Sequence, residues 1–132
     1  MRRAFAAALG VVAVLAGTTL VALEGGEVVV LRTHDDQGTP RETRTWVADD
    51  AGAAWIEAAN GDRPFLRQLR ATPDVELRRG GAWRPCRGAE VSNPEGHVRI
   101  RQMLAAKYGW KDRWIGLLTD TSRSLAIRLD CP

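Results

Sequence analysis

The stretch Ala59 to Leu77, ANGDRPFLRQLRATPDVEL, places three arginines just behind a turn that leaves backbone N–H groups free. Asn60-Gly61-Asp62 reads as the turn, Asp62 as the N-cap of a short helix, and Pro64 as a residue of its first turn. Arg63, Arg67 and Arg70 then fall at i, i+4 and i+7, on a stripe beside the apolar stripe of Phe65, Leu66 and Leu69. Free N–H groups, the positive end of a helix and forked guanidinium donors together suit a phosphate or a carboxylate. A solvated surface is the competing reading, above all for Arg67 and Arg70, which stand further from the turn. Metal chemistry has less support. The chain has two histidines, His34 and His97, and no Cys-x-x-Cys pair, so no metal site is expected.

The 132 residues make one domain, or one domain with a leader, and 45% hydrophobic with 27% charged residues describes a globular chain. A net charge of +3 with no basic run does not point to nucleic acid. It fits a mildly basic pocket. Five tryptophans are many for this length, and indoles with an N–H to satisfy line cavities and interfaces as well as cores.

Behind Arg2 and Arg3, the twenty residues from Ala4 to Leu23 carry no charge, which is long enough for a helix across a bilayer. A cleaved signal, with Val14-Leu15-Ala16 before Gly17 as its site, is the alternative. A buried helix of the domain is disfavoured, because the stretch has no polar face. With the arginines kept on the cytoplasmic side, residues 27–132 are expected outside the cytoplasm, behind an anchor or signal segment of residues 1–26. Cys86 and Cys131 suit that compartment, where an even count permits one bridge. Two free buried thiols are the alternative.

The rest of the chain supplies the elements that would position the arginines. Strands are expected over Val28 to Thr33, Arg41 to Ala48, Ala53 to Ala59, Val75 to Arg78, Ala82 to Val91 and Ser124 to Cys131. Pro85 assigns the fifth to an edge or a bulge. The helix at Pro64 ends before Pro73. A second runs from Ser92-Asn93-Pro94 to Tyr108, and WKDRWIGLL forms a third with Trp110, Trp114 and Leu118 on its apolar side. Six short strands with hairpin links predict an α+β, mainly β fold. It is a six-stranded antiparallel split β-barrel with covering helices, preceded by the N-terminal hydrophobic helix. A barrel this narrow fills with side chains, so a flat ligand binds at its rim or between two copies.

This order of elements resembles the split β-barrel flavin and deazaflavin oxidoreductases, of the pyridoxamine-phosphate-oxidase-like fold. Its closest likeness is to the deazaflavin-dependent nitroreductase/quinone reductase family, from Val28 to Leu129. Thr33 to Thr45, THDDQGTPRETRT, resembles that family's first hairpin, with Gly38 and Arg41 matching a glycine and the arginine after it. Asp35-Asp36 stand where the family has Arg-Lys. Ala59 to Asp62 and Arg67 to Val75 resemble its next motif, and YGWKDRWIGLL with Ser122 to Leu129 its closing segment.

The resemblance implies a cofactor, coenzyme F-420 (deazaflavin) or FMN, bound by Gly38, Arg41, Thr43, Arg44, Asn60, Gly61, Asp62 and Arg63. It implies a flat acceptor beside Trp46, Trp110 and Trp114, with Tyr108 and Ser122 as candidate proton donors. The expected activity is hydride transfer to a quinone, nitroaromatic or similar small molecule, with the membrane reached through the N-terminal helix and a possible homodimer. A non-catalytic envelope module of the same fold, holding a lipid-like molecule, haem or a protein partner, is the alternative. The missing Arg-Lys pair and the scarcity of cytosolic cofactors outside the membrane favour it.

Overall fold

Val28-Val29-Val30-Leu31 is apolar on successive residues, and in the computed structural model of residues 1–132 Val29, Val30 and Leu31 are all buried. They belong to β1 (Val28–His34), which is followed by β2 (Pro40–Trp46), β3 (Ala48–Asp50) and β4 (Ala53–Ala58). Then come α2 (Pro64–Ala71), β5 (Asp74–Arg79), β6 (Ala82–Val91), α3 (Glu95–Tyr108), α4 (Trp110–Leu118) and β7 (Leu125–Asp130). The apolar N-terminal stretch is one helix, α1 (Arg2–Glu24). It is the one helix in the chain long and apolar enough to cross a membrane.

All seven strands form a single antiparallel sheet in the order β2-β1-β5-β6-β7-β4-β3. The fold is the expected α+β antiparallel half-barrel with covering helices, but with seven strands instead of six. The difference lies at Val47. The expected strand from Arg41 to Ala48 breaks there, because β2 and β3 occupy opposite edges of the sheet although only Val47 separates them. The sheet therefore curls until its edges meet. Its inner face packs Val29, Leu31, Ile56, Leu77, Ile127 and Leu129 around Phe65, Leu66 and Leu69 of α2. The outer face of β3, β4 and β7 is covered by α3, where Trp55 and Ala126 meet Ile100, Leu104 and Tyr108.

Val47 is fully buried, and its peptide groups lie outside the strand ladders. Side chains of α3 take them up. The Val47 N–H donates to the Tyr108 hydroxyl at 3.1 Å, and its carbonyl accepts from Lys107 Nζ at 2.7 Å and lies 3.0 Å from the same hydroxyl. That hydroxyl also donates to the Glu27 carbonyl, 2.7 Å away. Around the corner, Arg79 forks onto the carboxylates of both Glu27 and Asp49. Arg79 holds both carboxyls below their ordinary range against the opposing effect of burial. Burial pushes the Tyr108 phenol up. Gly26 lets the chain pass the Tyr108 ring, since a Cβ there would stand 2.9 Å from Cε1.

Three local expectations differ. Arg63, not Asp62, is the N-cap of α2, and it caps with no side-chain bond; the Asp62 N–H instead donates to Asn60 Oδ1 at 2.9 Å. Pro85 lies in a central strand. However, β7 pairs only with Arg87 to Val91, so Pro85 sits where β6 is locally an edge. In α4 Asp112 is buried and Trp114 half-buried against α1, while Trp110 and Leu118 of the expected apolar side face outward. Cys86 of β6 and Cys131, just past β7, are joined by a disulfide across 45 residues.

The last turns of α1 dock on the barrel. Trp46 Nε1 donates to the Leu23 carbonyl at 3.1 Å, Lys111 Nζ to the Gly25 carbonyl at 2.7 Å, and Trp114 Nε1 to Thr19 Oγ1 at 3.0 Å. Two of these cap carbonyls at the helix end that have no partner within the helix. Two stability tests follow from the corner and the bridge. Tyr108→Phe strands the buried Val47 N–H and should cost about 1–3 kcal/mol, read as a lower urea midpoint with unchanged secondary structure. Reducing the disulfide should cost about 4 kcal/mol in the chain-entropy picture for a loop of this length, read from unfolding with and without reductant.

Candidate functional site

Residues of β1 and β2, the end of β4, the start of α2, the end of α1, and α3 and α4 with the turn after it line an open cavity of about 460 Å³. It is of the size that small-molecule sites take. Val28, Phe65, Leu104 and Ile115 give it apolar walls, Thr43 and Thr45 bring hydroxyls, and Trp46 brings a flat ring. That ring is fixed on two sides. It stacks on Tyr108 with centroids 4.2 Å apart and planes 8° from parallel, and its N–H is tied to α1.

One flank is a partly buried ion cluster. Arg101 of α3 forks onto Glu57 of β4, with Nη1 at 3.0 and 3.1 Å from the two oxygens, and onto Asp112 of α4, with Nη2 at 2.7 Å from both. The three side chains are 21%, 17% and 7% exposed. Burial works against the guanidinium charge, but the two carboxylates outweigh it and hold Arg101 above its ordinary value. This cluster joins three elements around the cavity. Its pairing is not visible in the sequence, because Arg101 and Asp112 lie on different helices and meet only in three dimensions. One signal was present. Glu57 is a lone charge between Ala53, Trp55 and an apolar flank, on a face a helix has to cover, and a charge there requires a partner.

Of the residues singled out from the sequence, Thr43, Arg44, Trp46 and Arg63 line this cavity together. Arg44 is already paired with Glu24 of α1. Arg63 is exposed on the lining and has no carboxylate partner. Asn60, Gly61 and Asp62 form the turn between Ala59 and Arg63, both of which line the cavity, and the Gly61 carbonyl accepts from Arg70 at 3.2 Å. Arg70 is otherwise forked onto Glu90, so it braces α2 against β6 and does not offer itself to a ligand.

Gly38 and Arg41 lie toward the β1–β2 hairpin, outside the lining. Gly38 takes φ +79°, which accounts for a glycine there. Trp110 is exposed on α4 and Trp114 is turned to Thr19. The Tyr108 hydroxyl is engaged at Val47 and Glu27. The Ser122 hydroxyl donates to Asp120 Oδ1 at 2.6 Å. That bond, with the Ser122 N–H, holds the Asp120 carboxyl below its ordinary range on the cavity wall.

The F420H(2)-dependent quinone reductase family matches residues 7–132. No curated protein matches the chain. Among solved structures, an F420 reductase superposes with a TM-score of 0.56 at 22% identity, over 86% of this chain and 92% of that one. A heme storage protein of Vibrio cholerae superposes with a TM-score of 0.62 at 14% identity, over 84% and 85%. A conserved hypothetical protein of Mycobacterium tuberculosis gives 0.62 at 17%, over 86% and 77%. At these identities the structures share the fold. The ion cluster gives a direct test of the cavity wall. Arg101→Met leaves two carboxylates together without a counter-ion and should cost about 3 kcal/mol or more in the urea midpoint. Adding Glu57→Gln and Asp112→Asn should recover part of that loss.

Proposed function

The chain belongs to the F420H(2)-dependent quinone reductase family, and we propose that it is a deazaflavin-dependent oxidoreductase that passes a hydride to a quinone, nitroaromatic or similarly flat acceptor. The observation that carries this reading is the cavity itself. Within the matched span it sets a fixed indole, two threonine hydroxyls and an unpaired arginine around one apolar space. That donor set fits a flat ring with polar edges and an anionic tail: the ring against Trp46, Thr43 and Thr45, the tail toward Arg63 and the Asn60-Gly61-Asp62 turn. The deazaflavin coenzyme, when bound, supplies the hydride. FMN is the alternative cofactor.

The chain's own contribution is binding, orientation and exclusion of water. Arg44 and Glu24 close the wall beside α1, and the Arg101 cluster keeps α3, α4 and β4 at fixed separation. No side chain of the cavity is a strong proton donor. Asp120, stabilised in its charged form by Ser122, stays ionised at neutral pH, and Tyr108 and Ser122 spend their hydroxyls elsewhere. The proton that accompanies hydride transfer to a quinone would then come from the reduced coenzyme itself or from solvent, and not from these side chains.

In this reading α1 anchors the domain to the membrane, on the side where the disulfide is stable. A second reading, a ligand-binding module without catalysis, is favoured by one observation: acidic side chains outnumber basic ones along the cavity, and Arg44 is already paired. Titration of the detergent-solubilised full chain with the deazaflavin coenzyme and with FMN, followed by tryptophan fluorescence, separates the two. Arg63→Ala should weaken coenzyme binding by about 1.5–3 kcal/mol, the worth of a charge-assisted hydrogen bond. Arg67→Ala, exposed and unpaired one turn along α2, should change it far less. No binding of either cofactor by the unmutated chain would overturn the oxidoreductase reading in favour of the second.

A further inference from the structure

α4 runs back along the end of α1. Lys111 reaches the Gly25 carbonyl at the end of α1, and Trp114, three residues on, reaches Thr19, six residues back. The turn of α4 after Trp114 is therefore carried toward the N-terminal side of α1, to the level of Thr19 or beyond it. Two side chains of that turn stand in the open: Leu117 is 81% and Leu118 57% exposed. Trp110, at the other end of α4, is 46% exposed. Exposed leucines at the end of a helix whose buried residue is an aspartate are the reverse of a water-facing design.

The anchor reading of α1 supplies what covers them, and the inference rests on that reading. The uncharged run from Ala4 to Leu23 is about 30 Å long at 1.5 Å per residue, the thickness of a bilayer's hydrocarbon core. Its C-terminal edge then lies near Leu23, and Thr19 lies about 6 Å inside it. Leu117 and Leu118, carried to that depth, sit at the boundary between acyl chains and headgroups. Trp110 and Lys111 stand one to two turns higher, at the level where tryptophan and lysine anchor helices to the interface. The arrangement is that of a helix standing beside α1, with its last turn dipped into the boundary and its first turn at the interface.

We propose that α4 is a second membrane contact. Its exposed edge, Trp110, Leu117 and Leu118, is seated in the lipid boundary of the leaflet from which α1 emerges. The cavity, bordered by Leu23 of α1 and Ile115 of α4, then opens at that boundary. Neither leucine lines the cavity, so the contact can be probed apart from ligand binding.

The test uses the full chain with its disulfide intact, reconstituted in phosphatidylcholine–phosphatidylglycerol vesicles. A single added cysteine, Leu117→Cys, Leu15→Cys or Asp36→Cys, carries an environment-sensitive fluorophore, and Leu118→Cys replaces the first if that label disturbs the fold. The labels at Leu117 and Leu15 should be blue-shifted, quenched by lipids bearing a nitroxide high on the acyl chain, and shielded from aqueous iodide. The label at Asp36, in the β1–β2 hairpin, should show the opposite pattern. Iodide quenching at Leu117 equal to that at Asp36, with Leu15 still in lipid, would overturn the α4 contact and leave the anchor standing. Iodide access at Leu15 as well would overturn the anchor reading and the contact with it.

Discussion

Val47 carries the chain from one edge of the sheet to the other in a single residue, and the consequences spread outward from it. A sheet whose first and last strands adjoin in sequence has to curl through nearly a closed turn, and the residue at the join leaves both ladders with its N–H and C=O buried. Buried peptide groups need partners. Tyr108 and Lys107, at the end of α3, supply them, and the same tyrosine reaches the carbonyl of Glu27 where the chain enters β1. One hydroxyl thus joins the closure of the barrel, the seating of α3 and the exit from α1. Arg79, Glu27 and Asp49 surround that point with charge pairs that the exposed side shields only in part.

The cavity inherits its shape from this corner. Trp46 immediately precedes Val47, and its ring lies on the Tyr108 ring that the corner holds in place. Thr43, Arg44 and Thr45 follow from the register that pairs β2 with β1 along its whole length. On the other side, the Arg101 cluster sets the distance between β4, α3 and α4. A partly buried guanidinium with two bidentate carboxylates contributes little net stability once desolvation is counted, but it tolerates few geometries. Its role here is placement: it keeps a roomy space open among elements that would otherwise pack together.

Much of this was legible in the sequence, and the reasons differ by element. The strands declared themselves through alternation and through Gly and Asp turns. α2 was clear from Pro64, Pro73 and its leucine stripe, and α1 from its length without charge. Val47 was not legible, because an apolar residue between Trp46 and Ala48 looks the same whether a strand continues or changes edges; only the sheet order shows the break. Of the expected apolar side of α4, only Trp114 faces inward. Tryptophan and leucine dominate the pattern of WKDRWIGLL, and the partner that buries Asp112 lies eleven residues away on another helix. Thr43, Arg44, Trp46 and Arg63 came together because strand pairing and a helix start fixed them. Tyr108 and Ser122 were chosen for having hydroxyls, which says nothing of where a hydroxyl is spent.

α1 is long and apolar enough to look dispensable to the folded domain. Here its last turn is part of the cavity. Leu23 and Glu24 form a wall, the Leu23 carbonyl receives the indole N–H of Trp46, and Glu24 neutralises Arg44. A chain trimmed to start at Gly26 would lose all three. Its pocket would be wider, its indole would be held by the Tyr108 stack alone, and a second arginine would stand unpaired beside Arg63. Such a truncated form would bind polyanions more readily than the intact protein and would report a specificity that belongs to the cut rather than to the full chain.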